Sequence, residues 1–202
     1  SGVKKGLNTA GLGYDDITAY ASPRRLALLV HNLSSSQEDT VNERRGPALT
    51  VAFDEQGNPS KAALGFATSC GVDIEQLEKM ETDKGAWLVF HSQETGHHVR
   101  ELLPSIIEEA LAALPIPKRM RWGNLKSEFV RPVHWMVMLF GDEVIKADMF
   151  GVTTGRETRG HRFHHPASIY IAEPEAYAPL LETEGHVMVD FAARQEAVRA
   201  QV

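Results

Sequence analysis

Lysine and arginine side chains next to a tryptophan give one stretch of the chain its most evident chemistry. Lys118, Arg119 and Arg121 precede Trp122, and further arginines follow downstream. Guanidinium groups bind phosphate oxygens in a bidentate fork, and an indole ring can stack on a nucleobase. The predicted phosphate-facing set is Lys118, Arg119, Arg121, Trp122, Arg131, Arg159 and Arg162. The alternative is a structural role, with Trp122 in the core and Arg131 paired with an internal acid.

The distribution of charge supports an anionic partner although the total does not. The net charge is −6 and the isoelectric point is about 5.8, whereas chains that bind polyanions are usually basic. Residues 118–162, however, hold nine Lys and Arg against five Asp and Glu, a local charge of +4. A segregated field of this kind can steer an anion to one face of an acidic protein.

Three histidines close in sequence form a second cluster, His161-Arg162-Phe163-His164-His165. Neighbouring imidazoles can share a zinc ion. The spacing matches no ligand pattern, however, and no cysteine or close carboxylate completes the set. Because Arg159 and Arg162 also make the surroundings cationic, we predict a polar or anion-facing loop here and no metal site.

Signatures of catalysis and of nucleotide binding are missing from the sequence. No Gly-x-Gly-x-x-Gly follows a predicted strand, and neither a phosphate-binding loop nor a Gly-x-Ser-x-Gly elbow is present. The single cysteine, Cys70, reads as a small buried hydrophobe at a helix end rather than a nucleophile. We therefore predict no catalytic residue and no cofactor in these residues. One cysteine allows no internal disulfide, which makes a reducing cytoplasm the default location.

Helices and strands that must position the arginines can be read from apolar spacing. Leucine and isoleucine positions predict an amphipathic helix over 99–114, in which Pro104 is tolerated if the helix begins there. Ser60 is a good N-cap for a helix over 61–70. The remaining predicted helices cover 73–79, where Asp73 is the cap, 174–181 and 190–199. The predicted strands cover 17–21, 26–30, 48–53, 86–91, 133–140, 144–150, 169–171 and 187–189.

These elements alternate irregularly, which predicts an α+β, or mixed α/β, fold. With 202 residues, 43% of them hydrophobic, the chain can bury a core. No apolar stretch of 18 residues exists, so no membrane partner is predicted. No clear linker divides the chain, although Pro115-Ile116-Pro117 makes 115–125 a candidate sub-boundary. Both ends look truncated, because Ser1-Gly2 resembles a cloning scar and the last predicted helix has no stop signal.

Seven short motifs carry a resemblance to a known family. They are Ser22-Pro23-Arg24-Arg25-Leu26-Ala27, Glu43-Arg44-Arg45-Gly46-Pro47, Lys61-Ala62-Ala63 with Gly65-Phe66, Thr82-Asp83-Lys84-Gly85, Pro115-Ile116-Pro117-Lys118-Arg119-Met120-Arg121-Trp122-Gly123, Phe129-Val130-Arg131-Pro132-Val133-His134-Trp135 and Thr158-Arg159-Gly160-His161-Arg162-Phe163. In this order they resemble the beta subunit of bacterial heterotetrameric glycyl-tRNA synthetase over essentially the whole chain. Residues 1–202 are similar to its amino-terminal region, without the opening Glu-Ile-Gly-Thr-Glu-Glu-Leu-Pro-like segment.

The resemblance implies a part of a glycine–tRNA ligase. In that family a separate alpha subunit holds the class II core that uses ATP and Mg²⁺, and the complete cytoplasmic enzyme is an alpha2-beta2 heterotetramer. The implied partners of this region are the alpha subunit and the tRNA for glycine, and its implied role is tRNA binding and assembly without catalysis. Two alternatives stay open. One is pure docking of the alpha subunit, and the other is an editing-like hydrolytic domain similar to the B3/B4 region of phenylalanyl-tRNA synthetase beta chains.

Overall fold

The structure, a computed structural model, describes residues 2–54, 57–82 and 85–201. The α-helices are α1 (Gly2–Thr9), α2 (Leu49–Ala52), α3 (Lys61–Cys70), α4 (Val99–Ala112), α5 (Tyr177–Thr183) and α6 (Phe191–Ala200). The longer strands are β1 (Asp16–Ser22), β2 (Arg25–His31), β3 (Thr40–Ala48), β4 (Glu78–Thr82) and β5 (Gly85–Glu94). The shorter strands are β6 (Met120–Arg121), β7 (Glu128–Phe129), β8 (Leu139–Phe140), β9 (Glu143–Val144), β10 (Asp148–Met149), β11 (Val152–Thr153), β12 (Glu157–Arg159) and β13 (Ser168–Tyr170).

Helices and small antiparallel sheets follow one another irregularly, which confirms the predicted mixed α+β class. The chain divides into two compact units. One comprises residues 1–37 and 97–202, and the other comprises 38–96. The candidate sub-boundary at 115–125 lies within the range of the first unit. In the part of the chain that is described, no helix is long and apolar enough to cross a membrane.

The second unit is a three-stranded sheet of order β3-β5-β4 with helices packed on it. Its core consists of Ala52, Ala63, Ala67, Leu77 and Leu88. Helix α3 has the predicted bounds, because the hydroxyl of its N-cap residue accepts from a backbone N–H at 3.3 Å and a glycine with φ 72° ends it.

In the second unit, the short helix predicted over 73–79 is a 3₁₀ helix at Ile74–Gln76 capped by Asp73, and the chain enters β4 at Glu78. The predicted strand over 48–53 is wrong, because Leu49–Ala52 forms α2 and Ala52 is fully buried against the core. Packing has overridden the β-propensity of this segment. The family motif at 82–85 is only partly described, since Asp83 and Lys84 lie outside the described residues, as do Glu55, Gln56 and the terminal Ser1 and Val202.

The first unit has its main core where α1 packs against α4. The two helices approach closely, because a Cβ added at Gly6 would lie 2.6 Å from Cγ2 of Ile106. Helix α4 begins at Val99, where His98 is the N-cap, and Pro104 therefore lies inside it rather than at its start. The buried members of this core are Val3, Leu7, Leu12, Val99, Leu103, Ile106, Met138, Ile145 and Met149.

Strands β1 and β2 form the predicted antiparallel hairpin, in the register Ala19↔Leu28 and Ala21↔Leu26. Paired residues of an antiparallel ladder share a face. One face of this hairpin is therefore entirely apolar. Leu26 is 65% exposed and Leu28 is 42% exposed, so part of that face is uncovered within the first unit.

The chain between 133 and 150 forms less sheet than its apolar runs predict. Only the short pairs β8-β9 and β10-β11 appear in place of the long strands, and the stretch before them makes a single parallel bridge, Val137 to Gly155. The predicted strand over 187–189 is also irregular chain, although the Val189 carbonyl accepts from the Ala21 N–H at 3.2 Å. Helices α5 and α6 confirm the predictions for the carboxy-terminal part.

Candidate nucleic-acid interface

The basic segment at 118–131 is built on the small β6-β7 hairpin. Met120 pairs with Phe129 in this hairpin. The rings of Trp122 and Phe129 pack on Phe150, with centroids 6.3 Å and 5.1 Å from it. Trp122 is half-buried by this packing. The hairpin is thus fixed to the chain around β10 by aromatic contacts, which favours the structural alternative for the Trp122 ring.

Arg119 is occupied within the protein. Its Nη2 donates to the carbonyl oxygen of Ala112 at 2.6 Å and to that of Leu114 at 3.3 Å. Carbonyls in the last turn of a helix have no partner in the helix itself. Arg119 therefore serves as a side-chain cap for the end of α4, and its half-buried guanidinium is less available to an outside anion than its neighbours are.

Lys118, Arg121 and Arg131 are exposed and differ from Arg119 in having no acceptor. Among residues 2–54, 57–82 and 85–201, no hydrogen bond or ion pair involves any of their side chains. The internal acid considered for Arg131 is therefore not observed within those ranges. Lys118, Arg121 and Arg131 thus face solvent without a partner in those ranges.

Arg159 and Arg162 lie at a second place, where β12 ends and a loop begins. We call residues 161–165 the histidine loop. Its base is a close backbone approach, because a Cβ added at Gly160 would lie 2.8 Å from Cα of Gly185 and 2.9 Å from the Gly185 carbonyl oxygen. The N–H of His161 donates to that same oxygen at 2.6 Å. Glycine is needed at this crossing because any side chain would separate the two segments.

The histidine loop is ordered by its own first residue. Nδ1 of His161 accepts from the backbone N–H groups of Phe163 at 3.3 Å and of His164 at 3.2 Å. The N–H of His165 donates to the His161 carbonyl at 2.9 Å and closes the turn. The proton of a neutral His161 ring is therefore on Nε2. This single hydrogen-bonded turn carries the side chains of Arg162, Phe163 and His164.

An aromatic ring and a cation form the tip of the loop. Phe163 is 78% exposed, and the Arg162 guanidinium lies 5.8 Å from its ring centroid. The rings of His161 and His164 stack with centroids 4.5 Å apart. Within the described ranges, no group of three or more His, Cys, Asp or Glu side chains could hold a metal ion.

A shallow groove of about 290 Å³ adjoins the base of the loop, and the side chains of His134, Trp135, Arg156 and Arg159 contribute to its lining. Arg156 is held inside the protein, since its Nη1 donates to the Tyr170 hydroxyl at 3.0 Å and its Nη2 to the Asp142 carbonyl. Arg159 has no such acceptor in the described part of the chain. Of the two groove arginines, Arg159 is thus the one with a free charge.

Arg25 secures the backbone below the groove. Its Nη2 donates to the carbonyls of Arg159 at 2.8 Å and Gly160 at 3.3 Å, and its guanidinium lies 5.9 Å from the Trp135 ring centroid. Burial lowers the pKa of Arg25, against the opposing effect of Tyr177. Burial has the opposite effect on Tyr177, whose pKa it raises. These two groups belong to the support of the loop and not to its exposed tip.

The seven predicted residues thus divide between two places. Lys118, Arg119, Arg121, Trp122 and Arg131 belong to the hairpin region, and Arg159 and Arg162 belong to the loop region. No hydrogen bond, ion pair or ring contact between described residues joins the two sets. Phe163 is a candidate stacking residue outside the predicted set, although Arg162-Phe163 repeats the Arg121-Trp122 pattern of an arginine followed by an aromatic residue.

Comparison with known proteins identifies the class to which this fold and its basic surface belong. A family described as "Glycyl-tRNA synthetase beta subunit" matches residues 1–202. The "Glycine--tRNA ligase beta subunit" of Hahella chejuensis is 54% identical over 201 residues, that of Marinobacter nauticus is 50% identical, and that of Pseudomonas aeruginosa is 48% identical over 202 residues. Each alignment covers 100% of this chain.

The chain belongs to the glycyl-tRNA synthetase beta-subunit family, which confirms the resemblance predicted from its motifs. It spans about 29% of the length of these curated relatives. The relatives are subunits of a ligase, and their name implies an enzyme made of more than one kind of chain.

Proposed function

We propose that this chain is a noncatalytic tRNA-binding and subunit-assembly region of a cytoplasmic glycine–tRNA ligase. The complete enzyme joins glycine to its tRNA with ATP and Mg²⁺, and it is an alpha2-beta2 heterotetramer whose active site lies in the alpha subunit. The observation that carries the RNA-binding role is that five of the seven predicted residues are exposed and have no acceptor among the described residues. They are Lys118, Arg121, Arg131, Arg159 and Arg162.

Free cations are the ones that contribute to binding of a polyanion. A lysine or arginine that contacts a phosphate releases condensed counterions, and this release supplies much of the affinity for nucleic acid. Arg119 and Arg156 already donate to acceptors within the protein, so fewer of their N–H groups remain for a phosphate. Arg119 and Trp122 support the hairpin, and the proposed surface consists of Lys118, Arg121, Arg131, Arg159 and Arg162.

Among the described residues, no group of three or more His, Cys, Asp or Glu side chains could act together as metal ligands. The Mg²⁺ and ATP of adenylate formation are proposed to bind the alpha subunit.

The assembled enzyme provides the test. Replacing Arg121→Ala together with Arg131→Ala removes two free cations and is expected to weaken tRNA binding. The slope of log affinity against log salt should become shallower by roughly 1.5 if both contact phosphates. Glycyl-adenylate formation, measured by ATP–pyrophosphate exchange without tRNA, should not change.

The matched control is Lys4→Ala together with Lys5→Ala, which removes two exposed cations from α1 in the same unit. This control should bind tRNA like the wild type. If the Arg121→Ala, Arg131→Ala enzyme binds tRNA normally at every salt concentration, these cations are not an RNA surface.

The apolar face of the β1-β2 hairpin favours the assembly role. Leu26 at 65% exposure and Leu28 at 42% exposure lie side by side with Ala19 and Ala21. Clustered exposed apolar side chains are typical of protein interfaces. Because the relatives are named as one subunit of a larger enzyme, the partner we propose for this face is the alpha subunit.

Copurification tests the assembly role. Leu26→Ser with Leu28→Ser should reduce capture of the alpha subunit while leaving tRNA binding by the isolated chain intact. Leu64→Ser, at an exposed leucine on α3 with 48% exposure, is the control. Undiminished capture by the double variant would contradict docking through this face.

A further inference from the structure

We propose that the histidine loop stacks an unpaired base of bound RNA on Phe163, with Arg162 on the adjoining phosphate. This inference rests on the proposed RNA-binding function and names the form of RNA that the loop recognises. Base stacking by Phe163 would add to the phosphate contacts that the lysines and arginines make.

The Phe163 ring is unusually exposed for an apolar side chain. It is 78% exposed, more than any other large hydrophobic residue in the described ranges. Leaving a phenyl ring in water gives up the free energy that its burial would supply. The turn below it is closed by the Nδ1 acceptor of His161 and by the Gly160–Gly185 contact, so the exposed ring stands on hydrogen-bonded backbone.

The second argument is the charge around the ring. Residues 159–165 contain Arg159, Arg162 and three histidines and no Asp or Glu. An apolar ring whose sequence neighbours are cationic or imidazole side chains favours a ligand that is both aromatic and anionic. A nucleotide combines these properties, since its base stacks on aromatic side chains and its phosphate accepts from arginine.

The third argument concerns the state of the RNA. Bases within an A-form duplex are stacked on their neighbours, and the major groove is too deep and narrow for side chains to read. A ring that reaches a base inside a duplex would first have to separate stacked pairs, so Phe163 is expected to stack on a base that is already unpaired. The loop is expected to prefer single-stranded RNA segments, while the other free cations bind phosphates without regard to pairing.

The test compares two labelled probes on the 202-residue chain by fluorescence anisotropy. One is a short oligouridine, and the other is a blunt RNA duplex of the same length. Phe163→Ala should weaken binding of oligouridine by about 10- to 100-fold, the range expected for loss of one base–aromatic stack, and should leave the salt slope unchanged. Its binding of the duplex should match the wild type.

Further variants separate stacking from charge and from folding. Phe163→Trp should restore oligouridine binding, because it retains an aromatic face. Arg162→Ala should make the salt slope shallower by about 0.7, as expected for one lost contact to a single strand. Phe191→Ala, at a residue with similar exposure on α6, should bind both probes normally.

The outcomes distinguish this inference from the function on which it rests. If the wild type binds neither probe even at low salt, the proposed RNA-binding function fails and this inference with it. If the wild type binds both with the expected salt dependence and Phe163→Ala binds oligouridine equally well, the stacking role is overturned and the RNA surface stands. If Phe163→Ala instead loses the alpha subunit and keeps RNA, Phe163 is a protein contact and the inference is overturned.

Discussion

Arg121-Trp122 and Arg162-Phe163 are the same local pattern, an arginine followed by an aromatic residue, in two different settings. The Trp122 ring packs on Phe150 at 6.3 Å, whereas Phe163 is 78% exposed at the end of an ordered turn. Adjacent residues alone do not decide whether an aromatic ring stabilises the fold or meets a ligand. The elements packed around the ring decide it, and here they leave only the second ring free to stack on a base.

The arginines of the two regions show the same distinction. Arg119 caps α4 through two carbonyls, and Arg25 donates to two carbonyls below the histidine loop. In the described ranges, Arg121 and Arg162 donate to no carbonyl. The comparison therefore separates residues that support each region from residues that face solvent. Substitutions of supporting residues should change stability, and substitutions of exposed residues should change binding.

The largest effect is expected at the base of the histidine loop. Gly160→Ala places a Cβ 2.8 Å from backbone of Gly185, which has no side chain that could move away. Overpacking of this kind costs roughly 3 kcal/mol. Urea unfolding should show the loss, and oligouridine binding should fall with it. Gly155→Ala is the control, because a Cβ there meets nothing within 4 Å. Equal unfolding free energies for the two variants would contradict the close approach.

A somewhat smaller effect is expected from the two aromatic rings. Trp122→Ala should lower the unfolding free energy by about 2 kcal/mol, since a half-buried ring loses part of the 3 to 5 kcal/mol of a fully buried one. Phe163→Ala should change it by less than about 0.5 kcal/mol because the ring is exposed. Urea titrations of both variants measure the difference. A more damaging change at Phe163 than at Trp122 would reverse our assignment of the two rings.

Substitutions of Arg119 and Arg121 in the hairpin region should differ by less in their effect on stability. Arg119→Ala removes bonds to carbonyls at the end of α4 and should cost about 1 kcal/mol of stability, a value reduced for partial exposure. Arg121→Ala should leave stability within about 0.5 kcal/mol and weaken RNA binding instead. Thermal unfolding and RNA anisotropy of both single variants test this. An Arg121→Ala protein with reduced stability and full RNA affinity would show that we have exchanged the two roles.

The smallest effect concerns Tyr177. It interacts electrostatically with Arg25, whose guanidinium also binds the backbone at the base of the histidine loop. Burial raises the pKa of Tyr177 above its usual value, and Arg25 opposes this shift while Tyr20 adds to it. The unfolded chain loses this proton near pH 10, before the folded chain does. The contribution to stability is therefore complete below about pH 10 and declines as pH rises toward the folded pKa.

Tyr177→Phe removes that decline. Above about pH 10, the urea midpoint of the wild type should fall more steeply with pH than that of the variant. The two curves should run parallel near neutral pH, where the tyrosine keeps its proton in both states. Parallel curves throughout the alkaline range would contradict the burial of this hydroxyl.

The regular elements with a strong local signal could be predicted from sequence. Ser60 and Gly71 mark both ends of α3, and the Pro23 turn marks the β1-β2 hairpin. The segment 48–53 could not be predicted, because burial of Ala52 outweighs its β-propensity. The long strand expected over 133–140 was also wrong, since apolar composition predicts burial, as for Met138 at 8% exposure, without specifying a ladder partner.

The candidate site was predictable as a set of residue types and not as an arrangement. Lys118, Arg121, Arg131, Arg159 and Arg162 are exposed, as a phosphate-facing surface requires. The capping bonds of Arg119 depend on where α4 ends. The turn that carries Phe163 depends on the contact of Gly160 with Gly185, 25 residues away. Neither fact is encoded within the motif that contains the residue.

A salt titration of binding to the tRNA for glycine tests the central claim most directly. The wild-type chain is compared with a variant in which Lys118, Arg121, Arg131, Arg159 and Arg162 are all replaced by Gln, each protein first shown to be folded by circular dichroism. We predict that wild-type affinity falls steeply as salt rises and that the variant loses most of both the affinity and the slope. A variant that binds tRNA as tightly and with the same salt slope as the wild type would contradict the claim that the unoccupied cations form the RNA surface.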